Sequence, residues 1–356
     1  MENPDTTVAE FKGFLCTNCG AGLKYKPGTK TMACDYCSST NEIHEEETFI
    51  EELDFNAYIE NFEALNLQTE KIISCKSCGA SSSVDENLKS LHCSYCTNPL
   101  VEDDISEQRL IKPGYLLPFN IDEKKTIVIL EKWKNSLWLT PSDFKKFAPT
   151  PIDLRGIYVP YWTFDAKSVS AYTGASGDDY TVTEGSGDDE REVTKTSWTN
   201  TFGTVRVDFD DIITPASGNI SPEGLVELEP WDFRELVKVN DQYLSGFITE
   251  KYTIPLQQGF TDAKTRMENR ISKAIREEIG GDRQRIYTCD TQYDDIQFKH
   301  IMVPVYVSSY RYKEKIYHFY INGRNGKIYG ESPTSLVFQI VCVIVAILII
   351  IAIIVL

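Results

Sequence analysis

The chain has 356 residues, 42% of them hydrophobic and 12% aromatic, and a formal net charge of −17. That apolar content suffices for two or three compact domains and excludes a disordered chain. The acidic excess repels phosphate backbones and argues against general nucleic-acid binding. The opening residues MENPDTTVAEFKGFL contain no basic segment followed by an apolar run, so no secretion signal is expected.

In chain order, the first feature is a block of two cysteine pairs, Cys16-x-x-Cys19 and Cys34-x-x-Cys37. The pattern returns as Cys75-x-x-Cys78 and Cys93-x-x-Cys96, with fourteen residues between pairs in each block and an offset of 59. Both copies read C-x-x-C-G-A, ten residues, Met32 or Leu91, one residue, then C-x-Y-C. A fixed-period copy of this kind is an internal duplication. Two thiolates three positions apart bind one ion across a tight turn, and two such knuckles close a tetrahedral shell. The spacing therefore predicts two structural zinc ions, one held by Cys16, Cys19, Cys34 and Cys37, the other by Cys75, Cys78, Cys93 and Cys96. A rubredoxin-like iron is the alternative, since a sulfur tetrahedron also suits iron. Ser38 and Thr97 stand where a second-knuckle glycine would favour that reading. Four thiolates leave no open position, which argues against catalytic zinc. Metal sites without a secretion signal also imply a reducing, cytoplasmic setting.

The ribbons lack a basic stripe. Lys24, Lys26 and Lys30 face Asp35 in the first; Lys76 and Lys89 face Asp85 and Glu86 in the second. The stretch from Asn41 to Phe55 holds seven acids and no Lys or Arg. That is not the footprint of a nucleic-acid module.

Between the ribbons, Phe55, Ile59, Phe62 and Leu65 fall at helical spacing in a segment from Asp54 to Asn66. Further helices are predicted over Asp122–Leu137 and about Asp262–Ile279, the latter stopped by Gly280. The rest of the body reads as strand: Ile157–Gly174, Ser197–Thr214, and a three-stranded meander over Ile301–Gly330. Leu117-Pro118-Phe119 and Ile254-Pro255-Leu256 each precede a helix. Val159-Pro160-Tyr161 and Val303-Pro304-Val305 follow them, at proline offsets of 137 and 144. This suggests two related units, each a strand, a helix and a hairpin, with the helices on one face of an antiparallel sheet. The acid-rich Gly174–Glu192 fits no calcium loop and reads as a solvated hairpin tip.

No H-E-x-x-H, G-x-S-x-G or G-x-G-x-x-G motif is present, and Gly323–Lys327 is too short for a phosphate-binding loop. Cys289 reads as a buried inert thiol and His318 as a packed or surface strand residue. No catalytic residues are expected. The tail, Leu336 to Leu356, runs 21 residues with only Gln339 clearly polar. As a helix it would span about 31 Å and cross a bilayer.

The two C-x-x-C-G-A blocks, GIYVPYWTFDA (Gly156 to Ala166), YLSGFITEKYTIPL (Tyr243 to Leu256) and the meander FKHIMVPVYVSSYRYKEKIYHFYINGRNGKIYG together resemble a bacterial family of membrane-associated double zinc-ribbon proteins. Its members are often labelled as carrying a transcription-factor-B-type ribbon, or as primosomal-protein-N′ or replication-factor-Y-like. The resemblance covers nearly the whole chain from Cys16 onward. It implies a non-enzymatic membrane receptor or scaffold for cytoplasmic or membrane-associated proteins, flotillin-like (SPFH-domain) proteins among them. The helicase sense of those labels does not transfer, because no nucleotide-phosphate loop is present.

The sequence thus predicts an α+β protein. Its parts are zinc ribbon 1 (residues 12–42), a linker helix (43–73), zinc ribbon 2 (74–104), a body that reads as duplicated (113–331), and a C-terminal transmembrane helix (336–356). It would be single-pass in a bacterial inner membrane with its soluble part cytoplasmic. The expected function is a tail-anchored adaptor presenting its ribbons to proteins; the alternative is a membrane tether that binds nucleic acid through them.

Overall fold

The structure, a computed structural model, describes residues 14–44, 49–60, 68–76, 79–83, 93, 95, 98–100, 105–137, 140–145, 154–185, 190–313 and 315–333. Ribbon 1 is an antiparallel sheet of β1 (Leu23–Tyr25), β2 (Thr31–Cys34) and β3 (Thr40–Glu42). The connecting segment supplies β4 (Leu53–Asp54) and α1 (Phe55–Glu60). A second three-stranded sheet comprises β5 (Gln68–Ser74), β6 (Ser81–Ser83) and β7 (Ile105–Leu110), with β5 central. The body continues with β8 (Tyr115–Leu116), α2 (Glu123–Ser136), α3 (Ser142–Lys145), β9 (Arg155–Glu184), β10 (Arg191–Pro215) and α4 (Pro222–Leu228). It ends with β11 (Val237–Lys238), α5 (Asp241–Leu244), β12 (Ile248–Thr249), α6 (Leu256–Ile279), β13 (Arg283–Tyr312), β14 (Lys315–Asn322) and β15 (Ile328–Gly330).

The body is one nine-stranded sheet whose main path runs β10-β9-β13-β14-β15. At its centre β9 and β13 pair antiparallel, with Val159 opposite Val303. Those two valines are themselves 144 positions apart, so a local pseudo-dyad passes between them. The short strands obey it. β12 lies parallel to β9 at Ile157, and β8 lies parallel to β13 at Ile301, again 144 further on. Each half therefore lends its short strand to the other half's long one.

Both faces of this centre are buried. Ile157, Val159 and Tyr161 share one face with Ile301, Val303 and Val305. That face is covered by Leu225 and Leu228 of α4, by Trp231, and by Cys75, Ala80, Cys93 and Tyr95 of the second cysteine block. Tyr158, Met302, Tyr306 and Phe319 point the other way, against ribbon 1 and Leu130 of α2. Further along that same face, Trp162, Phe164 and Phe298 meet α1 and α6. The runs IYVPYWTF and IMVPVYV lack apolar/polar alternation because neither face meets water.

Local chemistry fixes the helices. Asp122 caps α2 by accepting the Lys125 amide at 2.8 Å. α6 buries Leu256, Phe260, Ala263, Met267, Ile271, Ile275 and Ile279, one stripe at spacings of three and four. Gly280 ends it at φ 65. α6 begins six residues before the expected Asp262, because Pro255 tolerates the N-terminal boundary, where an amide hydrogen is not needed. α1 buries Phe55 and Tyr58; the expected Phe62 and Leu65 lie outside the described residues.

Two expectations are corrected. The chain is mostly β, not an α+β body with helices on one face. The two candidate units fuse into a single sheet, and elements cover both of its sides, because the unalternating strands have two apolar faces to bury. Second, among the described residues no helix is long and apolar enough to cross a membrane. The longest, α6, carries a charged face that includes Lys264, Glu268 and Lys273. Residues 336–356, where the transmembrane helix was expected, lie outside the described residues. The anchor and the single-pass inner-membrane placement are not retained.

Trp162 is fully buried, with its indole N–H donating to the Ile254 carbonyl at 3.0 Å. A Cβ on Gly259 of α6 would approach its ring to 2.5 Å, so helix and ring are in close contact. Trp162→Ala should lower the unfolding free energy by about 3–5 kcal/mol, read from urea titration. A loss below about 1 kcal/mol would mean that α6 does not depend on this contact.

Candidate metal centre

Ribbon 1 brings its four cysteines together. One metal-binding atom from each of Cys16, Cys19, Cys34 and Cys37 lies within 4.8 Å of all the others. The Cys16–Cys37 and Cys19–Cys34 sulfur separations are both 3.6 Å. Around an ion with metal–sulfur bonds of about 2.3 Å, a tetrahedron's edges are about 3.8 Å, so this cage fits one ion. Cys16 and Cys34 are buried, Cys37 is half-buried and Cys19 is exposed.

The loops explain the convergence. The Cys16 amide donates to the Ala21 carbonyl at 2.7 Å, and the Gly20 amide donates back to Cys16 at 2.8 Å. Gly20 sits at φ 73, the left-handed conformation this turn needs. In the second knuckle Ser38 takes that conformation, φ 60, without being glycine. The Ser39 hydroxyl lies 2.9 Å from the Cys16 sulfur and 3.0 Å from that of Cys37. With the amides around it, this contact lowers the Cys16 thiol and brings Cys37 down to about 5. Cys19 is pulled down by the Ala21 amide, but partial desolvation of its sulfur within the cage and the three neighbouring sulfurs push it up to about 12. Four thiolates this close repel one another, and a bound cation would remove that conflict.

The second block repeats the backbone of the first. The Cys75 amide donates to Ala80 at 2.8 Å, Gly79 donates to Cys75 at 2.8 Å, and Cys93 donates to Asn98 at 2.8 Å. Gly79 sits at φ 80. Cys75 and Cys93 are buried. Cys78 and Cys96 lie outside the described residues.

The two blocks dock differently. Ribbon 1 seats its hairpin on the body: the Tyr25 hydroxyl donates to the Phe119 carbonyl at 3.0 Å, and the Gly28 amide to the same carbonyl at 2.9 Å. Its knuckle tyrosine, Tyr36, is 83% exposed. The equivalent tyrosine of the second block, Tyr95, is buried and donates to the Glu250 carboxylate at 2.6 Å. Ser217 donates to the same carboxylate at 2.5 Å, as does the Asn219 amide. Burial raises the Glu250 carboxyl above the usual range despite these donors.

A second acidic grouping escaped sequence reasoning. Asp165, Asp210 and Asp211 bring carboxylates within 4.8 Å of one another where β9 and β10 bulge. Its centre is taken by the buried Lys299, whose ammonium lies 2.8 Å from Asp211 and 2.6 Å from Glu52. Burial pushes the Asp165 carboxyl up to about 7. The ammonium supplies the cation, so this is a buried ion-pair network tying the segment before β4 to the sheet. The readable signal was a lysine inside the apolar run FKHIMVPV. Cys289, expected to be buried, is exposed on β13. His318 lies on β14 with its ring parallel to that of Tyr320.

Two outcomes follow from this geometry. Ser39→Ala removes a polar contact to two ligands and should weaken metal affinity about tenfold while leaving one ion in the cage, measured by competition with a chelator. An unchanged affinity would show that Ser39 does not support the thiolates. At Glu250 the folded chain retains a proton that the unfolded chain has already released. This contribution to stability is therefore present at low pH and declines as pH rises from about 4 toward the raised value. Glu250→Gln should lose less stability than the wild type between about pH 4 and 7 in urea titrations, and equal losses would exclude this carboxyl as the cause.

No family model matches the chain, and no solved structure matches it. An uncharacterized protein of Bacillus subtilis (strain 168), YdjG, is 27% identical over 231 residues, 63% of this chain and 65% of that protein. The chain thus spans just under two thirds of the length of the curated relative it matches.

Proposed function

We propose that this protein is a non-enzymatic, zinc-dependent scaffold whose first ribbon presents its metal knuckles to a protein partner. In this reading each cysteine block holds one zinc ion, the second through Cys75, Cys78, Cys93 and Cys96. The contrast between Tyr36 and Tyr95 carries the proposal. These residues occupy the same place in a repeated knuckle. One is consumed by an internal contact with Glu250, and the other stands exposed beside Cys37. The second ribbon is then structural, and the first is left available. A closed four-thiolate shell favours such a role over catalysis. The net charge of −17 favours a protein partner over nucleic acid.

Metal analysis and paired capture test this reading. The purified chain should hold two zinc ions, and Cys16→Ser and Cys75→Ser should each hold one. Crosslinked capture should recover a partner with wild type and lose it with Tyr36→Ala, whose zinc content stays at two. Iron in place of zinc would overturn the metal assignment. Capture that survives both Tyr36→Ala and Cys16→Ser would remove the first ribbon from the interaction.

A further inference from the structure

At the end of ribbon 1 away from its cysteines, the hairpin turn between β1 and β2 overhangs the body and leaves a cleft of about 790 Å³. The turn sits close to the body: a Cβ on Gly28, which holds φ 75, would stand 2.8 Å from the Asn120 carbonyl oxygen. The aromatic residues at the back of the cleft, Tyr25, Phe119 and Tyr243, are buried in the core and offer a ligand no open apolar surface. What the cleft presents to solvent is polar. Lys30 comes from the ribbon turn, Arg234 from a 3-10 turn over Phe233–Glu235, and Arg324 from the turn between β14 and β15; Glu235 is the one acid in the lining. Arg324 is the fixed member, with a side chain only 14% exposed. Its Nη1 donates to the Pro118 carbonyl at 2.8 Å, its Nη2 pairs with Glu235, and its backbone amide donates to the Asn322 side chain at 2.8 Å. Arg234 is held from outside the lining by Asp232, through Nε at 2.8 Å and Nη2 at 2.7 Å. That pair is solvent-exposed on the arginine side, where such pairs are weak, and it leaves Nη1 of Arg234 unused.

We propose that this cleft binds a small phosphate monoester carried on a polar body of sugar or nucleoside size, with Arg324, Arg234 and Lys30 around the phosphate. The local charge is the first reason. The chain as a whole carries −17, yet here three cations meet one carboxylate, so the cleft reverses the sign of the composition. The second is the match of charge and geometry. A phosphate monoester brings up to two negative charges and three acceptor oxygens. Two guanidinium groups and an ammonium from three segments answer that, and guanidinium forks suit phosphate oxygens. Glu235 alone already supplies a single carboxylate, so a ligand with one negative charge adds little. The third is room. A volume of about 790 Å³ falls in the range of about 300–1,000 Å³ usual for small-molecule sites and exceeds what a bare phosphate fills. The Thr29 hydroxyl and the Asn120 side-chain amide line the remainder and suit a body that carries hydroxyls. A phosphate polymer does not fit the same description. Its neighbouring phosphates would run out of the cleft onto an acidic surface, whereas a small ester keeps its one phosphate inside. The proposal does not rest on partner docking at Tyr36, which lies at the ribbon's other end.

Isothermal titration calorimetry on the metal-loaded full chain tests it with ribose 5-phosphate and adenosine 5′-monophosphate, against ribose, adenosine and inorganic phosphate. At least one ester should bind about tenfold or more tightly than both its unphosphorylated partner and inorganic phosphate. Arg234→Gln and Lys30→Gln, at exposed positions that the fold does not need, should each weaken that ester about five- to tenfold. Glu235→Gln removes the one carboxylate that competes for Arg324 and should tighten the ester about two- to fivefold, the weight of an exposed ion pair. That gain cannot come from a misfolded protein. The proposal fails if neither ester binds at millimolar concentration, or if the unphosphorylated compounds bind as well. It fails equally if Arg234→Gln and Lys30→Gln both leave the affinity unchanged, or if Glu235→Gln leaves it unchanged or weaker. Inorganic phosphate binding as tightly as the esters would overturn the assignment of the cleft to a carried body.

Discussion

The antiparallel pairing of β9 with β13 about Val159 and Val303 is the constraint on which the rest of the molecule depends. Around this pair the two strands have no polar face and cannot be left open to water on either side. Each side must be covered, and each cysteine block supplies part of a cover. Ribbon 1 packs against Tyr158 and Phe119, and the second block packs against the side of Ile157 and Tyr161. Both cysteine blocks are thus joined to the core, and loss of the four-cysteine cage of ribbon 1 would expose sheet as well as unfold a loop.

The pseudo-dyad gives that arrangement its economy. Short strands cross between the halves, β8 to β13 and β12 to β9, so neither half can complete its sheet alone. The ribbons do not follow the same symmetry in their contacts. Tyr95 is drawn into a buried carboxylate site, while Tyr36 is left outside. Duplicated sequence has therefore produced two blocks with different surroundings.

Buried charge is handled in two ways. Lys299 is enclosed by carboxylates of Glu52 and Asp211, so its ammonium is compensated within hydrogen-bonding reach. Among the described residues Glu250 pairs with no cation and relies on three neutral donors, and burial raises its carboxyl. The first network fastens the connecting segment to the sheet. The second fastens the second cysteine block. Both lie where an added element meets the central strands, which is where a polar residue on a buried strand can find a partner from outside its own sheet.

Much of the site was legible in the sequence because its determinants are local. A cysteine pair three positions apart, followed by glycine, dictates a knuckle by sterics and ligand reach alone, and the four sulfurs of ribbon 1 converge as that spacing requires. Helix α2 was legible for the same reason, with Asp122 at its start, and α6 from its apolar stripe. What lies at long range was not legible. The face each strand buries, the fusion of two candidate units into one sheet, the partner of Lys299 and the opposite surroundings of Tyr36 and Tyr95 all depend on residues more than a hundred positions apart, or on neighbours the repeat does not encode. The hydropathy of the tail likewise measures only transfer of side chains from water and does not by itself establish a membrane span. The sequence by itself determined the chelating spacing, the capped helices and the apolar strands. Only the tertiary structure decided what covers those strands and which knuckle stays open, because burial is a property of what packs against a residue and not of the residue alone.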